Sequence, residues 1–195
     1  MKFELACNWD PELLDGIKGY APLELFGGMP GSLIAGGRAS FVAPEVTAEQ
    51  VEKYIKDTHA LGHTFNFLLN ASCLDNREYR RDEYHKILDH IGWVESTGAD
   101  SVTVTIPYLL QLIKRHYPKL SVYVSSWARV ENVRKAQFFR DMGADAIVLS
   151  EEITRDFRTI EAIRKAVDCK LVVIANPGCL YGCPRSYYHA NVMTH

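Results

Sequence analysis

Ser96-Thr97-Gly98-Ala99-Asp100-Ser101-Val102-Thr103-Val104 is answered 45 residues later by Asp141-Met142-Gly143-Ala144-Asp145-Ala146-Ile147-Val148-Leu149. In each copy a helical stretch ends at a glycine able to take positive φ. A small residue and an aspartate make the turn, and a short strand follows. Two copies of one helix-to-strand junction indicate a chain of repeating units, the copies spanning two successive units and not one.

The same rhythm runs outward in both directions. Strands are expected at 2–7, 22–26, 64–70, 101–105, 121–125, 146–150 and 170–176, runs rich in Val, Ile, Leu and Phe that read as buried on both faces. Helices are expected at 47–61, 84–97, 108–117, 130–142 and 156–167. The first has a capping pair, Thr47 with Gln50, and a stripe of Val51, Tyr54, Ile55 and Thr58. Strand alternating with helix implies parallel strands joined by right-handed crossovers. The expected fold class is α/β, a TIM-like (β/α) barrel of about seven strands with its last unit missing; an open doubly wound sheet is the alternative. The last residues read as a turn-rich loop without a closing helix. A single barrel-like domain over 1–195 is therefore expected, a fragment of a longer protein or a chain completed by a homologous partner or a missing C-terminal segment.

Composition narrows the function classes. Lys plus Arg number 22 against 24 Asp plus Glu, and no long block of one sign appears, so a general nucleic-acid or membrane-surface footprint is missing. The N-terminus lacks the apolar core of a signal peptide and no run approaches a membrane span, which gives a cytoplasmic expectation. Five cysteines without a signal peptide point to free thiols or metal ligands.

Ligands in such folds gather at the carboxyl ends of the strands. Cys7, Cys73, Cys179 and Cys183 all fall on that rim, and Cys169 falls on the opposite face. Cys179-x-x-x-Cys183, flanked by Gly178, Gly182 and Pro184, is the sharpest signal. Its two thiolates suit an iron–sulfur cluster or a zinc ion, or are small buried thiols beneath a tight turn. Arg129, Arg155 and Arg158 form a basic group on the same rim, able to hold a carboxylate or phosphate or to pair with Glu151 and Glu152. Asp156 reads as a helix cap. Gly36-Gly37-Arg38 reads as an anion cradle or a plain turn. His189 and His195 are ligand or acid–base candidates, or packed surface residues.

Several segments together resemble one family: Glu4-Leu5-Ala6 with Asn8-Trp9-Asp10, Gly36-Gly37-Arg38, Phe65 through Cys73, Arg155-Asp156-Phe157-Arg158, Asn176 through Pro184, and Tyr187-Tyr188-His189-Ala190-Asn191. The composite is similar to the U32 peptidase family, the collagenase-like peptidases. The resemblance implies a TIM-barrel-like domain and, in several members, a 4Fe-4S cluster on four cysteines. Members resemble accessory proteins of oxygen-independent hydroxylation in ubiquinone biosynthesis, or enzymes hydroxylating bases of transfer or ribosomal RNA; others are described as proteases acting on collagen. Cys179 and Cys183 match the family's paired-cysteine segment, whose remaining cysteines commonly lie further along. Cys73, with Cys7, is the candidate to complete the set here, although Cys7 reads as core as easily as ligand, and an incomplete set would hold adventitious zinc. A small-molecule or nucleobase substrate would then meet Arg129, Arg155, Arg158, Trp127 and Tyr181. Peptide hydrolysis and a non-catalytic binding scaffold are the alternatives. The chain has no nucleophile elbow and no His-Glu-x-x-His to support the former, and no catalytic residue is assigned.

Overall fold

The computed structural model describes residues 2–37, 44–178 and 180–194. Seven strands form one sheet in chain order, β1 (Glu4–Ala6), β2 (Glu24–Gly27), β3 (Thr64–Leu69), β4 (Ser101–Val104), β5 (Ser121–Val124), β6 (Ala146–Val148) and β7 (Lys170–Val172). Every neighbouring pair is parallel. Strict sequential order contains no point at which the winding reverses, so the doubly wound alternative falls and the winding is that of a barrel. No ladder joins β7 to β1 among the described residues, which leaves an open half-barrel.

Seven helices accompany the strands among the described residues: α1 (Pro11–Gly16), α2 (Ala48–Ala60), α3 (Arg81–Ser96), α4 (Pro107–His116), α5 (Val133–Asp141), α6 (Phe157–Ala166) and α7 (Ser186–Val192). Thr47 caps α2 in a reciprocal capping box with Gln50. The short α1 and α7 escape the helical-spacing reading. α7 also corrects the expectation that the chain runs out in a loop: seven residues are too few to display a periodic apolar stripe.

The repeated junction does the same work twice. Gly98 and Gly143 take φ of +86° and +95°. The Asp100 carboxylate accepts the Phe65 N–H at 2.8 Å while its own N–H donates to the Phe65 carbonyl. Asp145 does likewise to Val122, accepting at 2.7 Å. Each aspartate thus extends the ladder by one rung at the amino end of the preceding strand, where the backbone would otherwise lack a partner. From outside, His59 Nε2 lies 2.8 Å from the Asp100 carboxylate and the Lys114 ammonium pairs with Asp145 at 2.6 Å.

Alternation along the strands separates two environments. Leu5, Leu25, Phe65, Phe67, Leu69, Val102, Val104, Val122, Val124 and Ile147 belong to the core between sheet and helices. There Phe65 meets Tyr54 of α2, and Phe67 meets Trp93 of α3 edge-on. The opposite face carries Glu24, Asn66, Ser101, Thr103, Tyr123 and Lys170. The expectation of strands buried on both faces holds for β2 to β5: one face builds the core and the other lines a lumen in which polar side chains stand among apolar ones.

His90 of α3 stacks on Trp93, and its buried Nε2 has no hydrogen-bond partner among the described residues. Burial pushes the imidazole down to about 4 from the usual 6.5. The unfolded chain therefore takes up this proton first on acidification. The stability contributed by the neutral ring is complete above about pH 6.5 and is lost as pH falls toward 4. Denaturant midpoints measured across this window should drop with acid in the wild type, with a shallower slope in His90→Gln.

Candidate functional site at the barrel mouth

Register places the lumen residues in rungs. Glu4 sits beside Glu24, Asn66 beside Ser101, and Thr103 beside Tyr123. At the floor, the buried Glu24 carboxylate accepts from Ser101 Oγ at 3.0 Å and Tyr123 OH at 3.2 Å, and lies 3.3 Å from Lys170 Nζ. Lys170 Nζ also donates to Glu4 at 2.8 Å and to the Tyr123 hydroxyl at 3.0 Å. Burial alone would lower this amine's pKa. The hydrogen bonds to Glu4 and Tyr123, with both carboxylate charges, more than offset that and hold the ammonium above its ordinary range. Lys2 stands 3.6 Å from Glu24, so two carboxylates face two ammoniums and the floor is neutral.

Above the floor a cavity of about 560 Å³ runs up the lumen, large enough for a small organic ligand. Phe26, Leu68, Val148, Val172 and Ile174 give it apolar surface, and Asn66, Asn70, Thr103, Ser125 and Ser126 give it hydrogen-bonding edges. Thr103 Oγ1 donates to Asn66 Oδ1 at 2.8 Å and Thr105 Oγ1 to Asn70 Oδ1 at 2.6 Å, which fixes both amides. A fixed amide above an apolar wall can orient a flat, polar ligand without charge. Asn66 and Thr103, inside their strands, were missed because they look like ordinary strand residues. The signal was the period-two placement of Asn66, Leu68 and Asn70 between Phe65, Phe67 and Leu69.

The glycine loop closes one side of the mouth by backbone contact. A Cβ on Gly36 would lie 2.7 Å from Gly28 Cα, and Gly37, at φ +78°, rests on Asn70 and Trp127. The pair permits close packing. Arg38, the third residue of the proposed anion cradle, lies outside the described residues.

The cysteines do not share one environment. Cys183 is free and half-buried in the turn beyond β7, its N–H donating to the Leu180 carbonyl at 3.3 Å, with Gly182 at φ +62° beside it. Cys179 lies outside the described residues. Cys73 lines a separate cavity of about 170 Å³ with Leu33, Arg77 and Thr194. Cys7 takes the core alternative: it is 2% exposed between sheet and helices, and its Sγ would stand 2.6 Å from a Cβ on Gly27. Cys169 lies below β7, where burial pushes its thiol up. No group of three or more His, Cys, Asp or Glu side chains suited to a metal ion occurs among the described residues.

The expected basic group also separates. Arg129, in left-handed backbone at φ +51°, packs its guanidinium 4.6 Å from the centre of the Tyr187 ring and 3.9 Å from Glu152. Arg155 and Arg158 are exposed, as is Tyr181 at 87%. Trp127 is half-buried beside Gly37. Glu151 accepts from Ser126 Oγ at 3.0 Å. Asp156 caps α6 through Thr159, which holds its carboxyl below the usual range. His189 is exposed on α7, and His195 lies outside the described residues.

Sequentially wound parallel strands, with a ligand-sized lumen opening at their carboxyl edge, define a TIM-barrel-like protein with its variable chemistry on the rim. Within that class the chain belongs to peptidase family U32, whose family model matches residues 27–186. An uncharacterized protease of Methanocaldococcus jannaschii is 32% identical over 176 residues, covering 88% of this chain and 50% of the relative. The tRNA hydroxylation protein P of Escherichia coli is 25% identical over 123 residues, covering 63% of this chain and 25% of that protein. The chain thus spans half or less of the length of these relatives. A solved U32 peptidase structure superposes on 100% of this chain and 76% of its own, with a TM-score of 0.87 at 20% identity, a likeness of fold. No described helix is long and apolar enough to cross a membrane.

Gly36→Ala should destabilise the fold by roughly 1–3 kcal/mol, because the added methyl meets backbone that cannot swing away. Gly16→Ala, with nothing within 4 Å of its Cβ, should stay within about 0.5 kcal/mol. Urea denaturation of the two variants gives the comparison.

Proposed function

We propose that this chain is the barrel of a U32 protein that carries an iron–sulfur cluster on its paired-cysteine loop and supports oxygen-independent hydroxylation of a small aromatic or nucleobase substrate at the mouth. The observation that carries the reading is the position of Cys183, a free, half-buried thiol in the segment that follows β7, whose residues Leu171 and Val172 line the lumen. Relatedness to a protein named for tRNA hydroxylation supports the reaction class.

Cys183 suits a thiolate ligand, and Cys179 is its sequence partner. Two thiolates are half of a four-cysteine set, and Cys73 or cysteines of a longer or partner chain would supply the rest. When bound, such a cluster supplies one-electron chemistry at the rim. The chain's own residues do the binding. Asn66, Asn70, Thr103 and Ser125 orient the polar edge of a flat substrate, and Leu68, Val148 and Val172 cover its faces and exclude water. Trp127 and Arg129, which follow the lumen-lining Ser126, with Tyr181, Arg155 and Arg158 further out, would contact the larger body of a substrate. A cytoplasmic setting suits free thiols of this kind.

Peptide hydrolysis is the second reading, favoured by the name of the M. jannaschii relative. It has less chemistry behind it, because no Ser or Thr hydroxyl is hydrogen-bonded to a histidine among the described residues, and Ser126 donates instead to Glu151.

Anaerobic reconstitution with ferrous iron and sulfide separates the two. The proposal expects a brown protein with broad visible absorbance that Cys179→Ala and Cys183→Ala each abolish. A colourless, metal-free protein that cleaves peptides would contradict it.

A further inference from the structure

Leu69, Val104 and Val124 stand at one level of the sheet, so Asn70, Thr105 and Ser125, which follow them, form one layer at the carboxyl edge of β3 to β5. Asn70 and Ser125 line the lumen cavity. The single hydroxyl proton of Thr105 lies closer to Asn70 Oδ1, at 2.6 Å, than to the Asn70 carbonyl, at 3.3 Å. The amide oxygen is therefore taken, and the amide nitrogen keeps both of its protons to donate. A Cβ on Gly37 would stand 2.8 Å from this nitrogen, so the glycine loop passes it without a side chain. Ser125 Oγ accepts the Trp127 N–H at 3.1 Å, which leaves its own proton to donate, and the residue is 3% exposed. Among the described residues no acceptor is bonded to the Asn70 nitrogen or to the Ser125 hydroxyl.

The layers beneath are closed on themselves. Thr103 gives its proton to Asn66 Oδ1 at 2.8 Å, and Asn66 Nδ2 faces Glu24 at 3.5 Å. Lys170 directs its three protons to Glu4, Glu24 and Tyr123, and Lys2 donates to Thr64 and lies beside Glu24. A ligand carboxylate would have to break this floor to find a cation. A ring amino group would set its N–H bonds against those of Asn70 and Ser125, leaving donors on both sides buried and unpaired, which costs more than a bond merely not made. An uncharged carbonyl oxygen meets neither obstacle.

We propose that Asn70 and Ser125 form a carbonyl-binding pair in the lumen, so that the ligand is an uncharged flat ring whose buried edge carries a carbonyl oxygen, and that Thr105 is the positioning residue that turns the Asn70 nitrogen toward it. The proposal rests on the reading of the lumen as the substrate site. It takes nothing from the cluster, so the two are tested apart.

Three probes of one ring size, acetophenone, aniline and benzoate, titrated at neutral pH into the chain before any reconstitution with iron, read the pair by two-dimensional NMR of backbone and side-chain amides. Acetophenone should bind about fivefold tighter than either of the others and should shift the Asn70 side-chain NH2 signals, identified by their loss in Asn70→Asp. That variant keeps an oxygen for Thr105 but exchanges the donors for an acceptor, and its preference should pass to aniline. Thr105→Val frees the amide to turn either way and should bring the acetophenone-to-aniline ratio toward one, with Thr105→Ser restoring it. The backbone signals of β3 to β5 should stay in place throughout, which separates a turned amide from a disturbed fold. Equal affinities in the wild type, a preference there for aniline or benzoate, or acetophenone binding that leaves the Asn70 signals unmoved would overturn the carbonyl pair while keeping the lumen as the site. Failure of all three probes to bind would overturn the pair and the lumen site together, whatever iron reconstitution shows.

Discussion

Lys170 joins the two edges of an open sheet. It is the first residue of β7, yet its ammonium reaches Glu4 at the start of β1, Glu24 of β2 and Tyr123 of β5. In a closed barrel, backbone ladders hold the curvature. Here no ladder links β7 to β1 among the described residues, and the side-chain network spans the interval. Two carboxylates and two ammoniums, with a buried phenol and a serine hydroxyl, satisfy one another with no net charge. That is the condition under which ionised groups are tolerated away from water. The cavity above inherits its shape from this floor, because the same strands supply both.

Most of the fold was legible because its causes are local and periodic. The Gly-Ala-Asp junction could be read as a turn from its residue types. The structure adds why aspartate recurs, since Asp100 and Asp145 each complete the ladder of the strand before them. Long amphipathic helices were legible for the same reason, and the Thr47–Gln50 cap formed as its spacing implied. The two short helices were not, since six or seven residues show no face. The polar lumen was obscured by composition: Val, Ile, Leu and Phe dominate the strands, and only position-by-position alternation separates Asn66 and Thr103 from them.

The candidate site was legible in place more than in membership. Strand-end reasoning put Cys73, Cys183, Trp127 and Arg129 on one rim, where the structure has them. Spacing along a chain does not report which face of a strand a residue takes, and so Cys7 at its strand end read equally as ligand or core; its thiol belongs to the core. Nor could it show that Arg129 is engaged by Tyr187 while Arg155 and Arg158 stand in solvent. Those are contacts between distant segments, set by how α7 packs against the loop after β5.

A double-mutant cycle between Glu4 and Lys170 tests most directly whether the cross-lumen network holds the half-barrel together. Glu4→Gln, Lys170→Met and the double variant would be compared by urea denaturation. A coupling energy of about 1 kcal/mol or more is predicted, larger than an isolated exposed ion pair gives, since the pair belongs to a partly buried network. Additive single effects, with coupling near zero, would contradict the account and leave the curvature to the core packing alone.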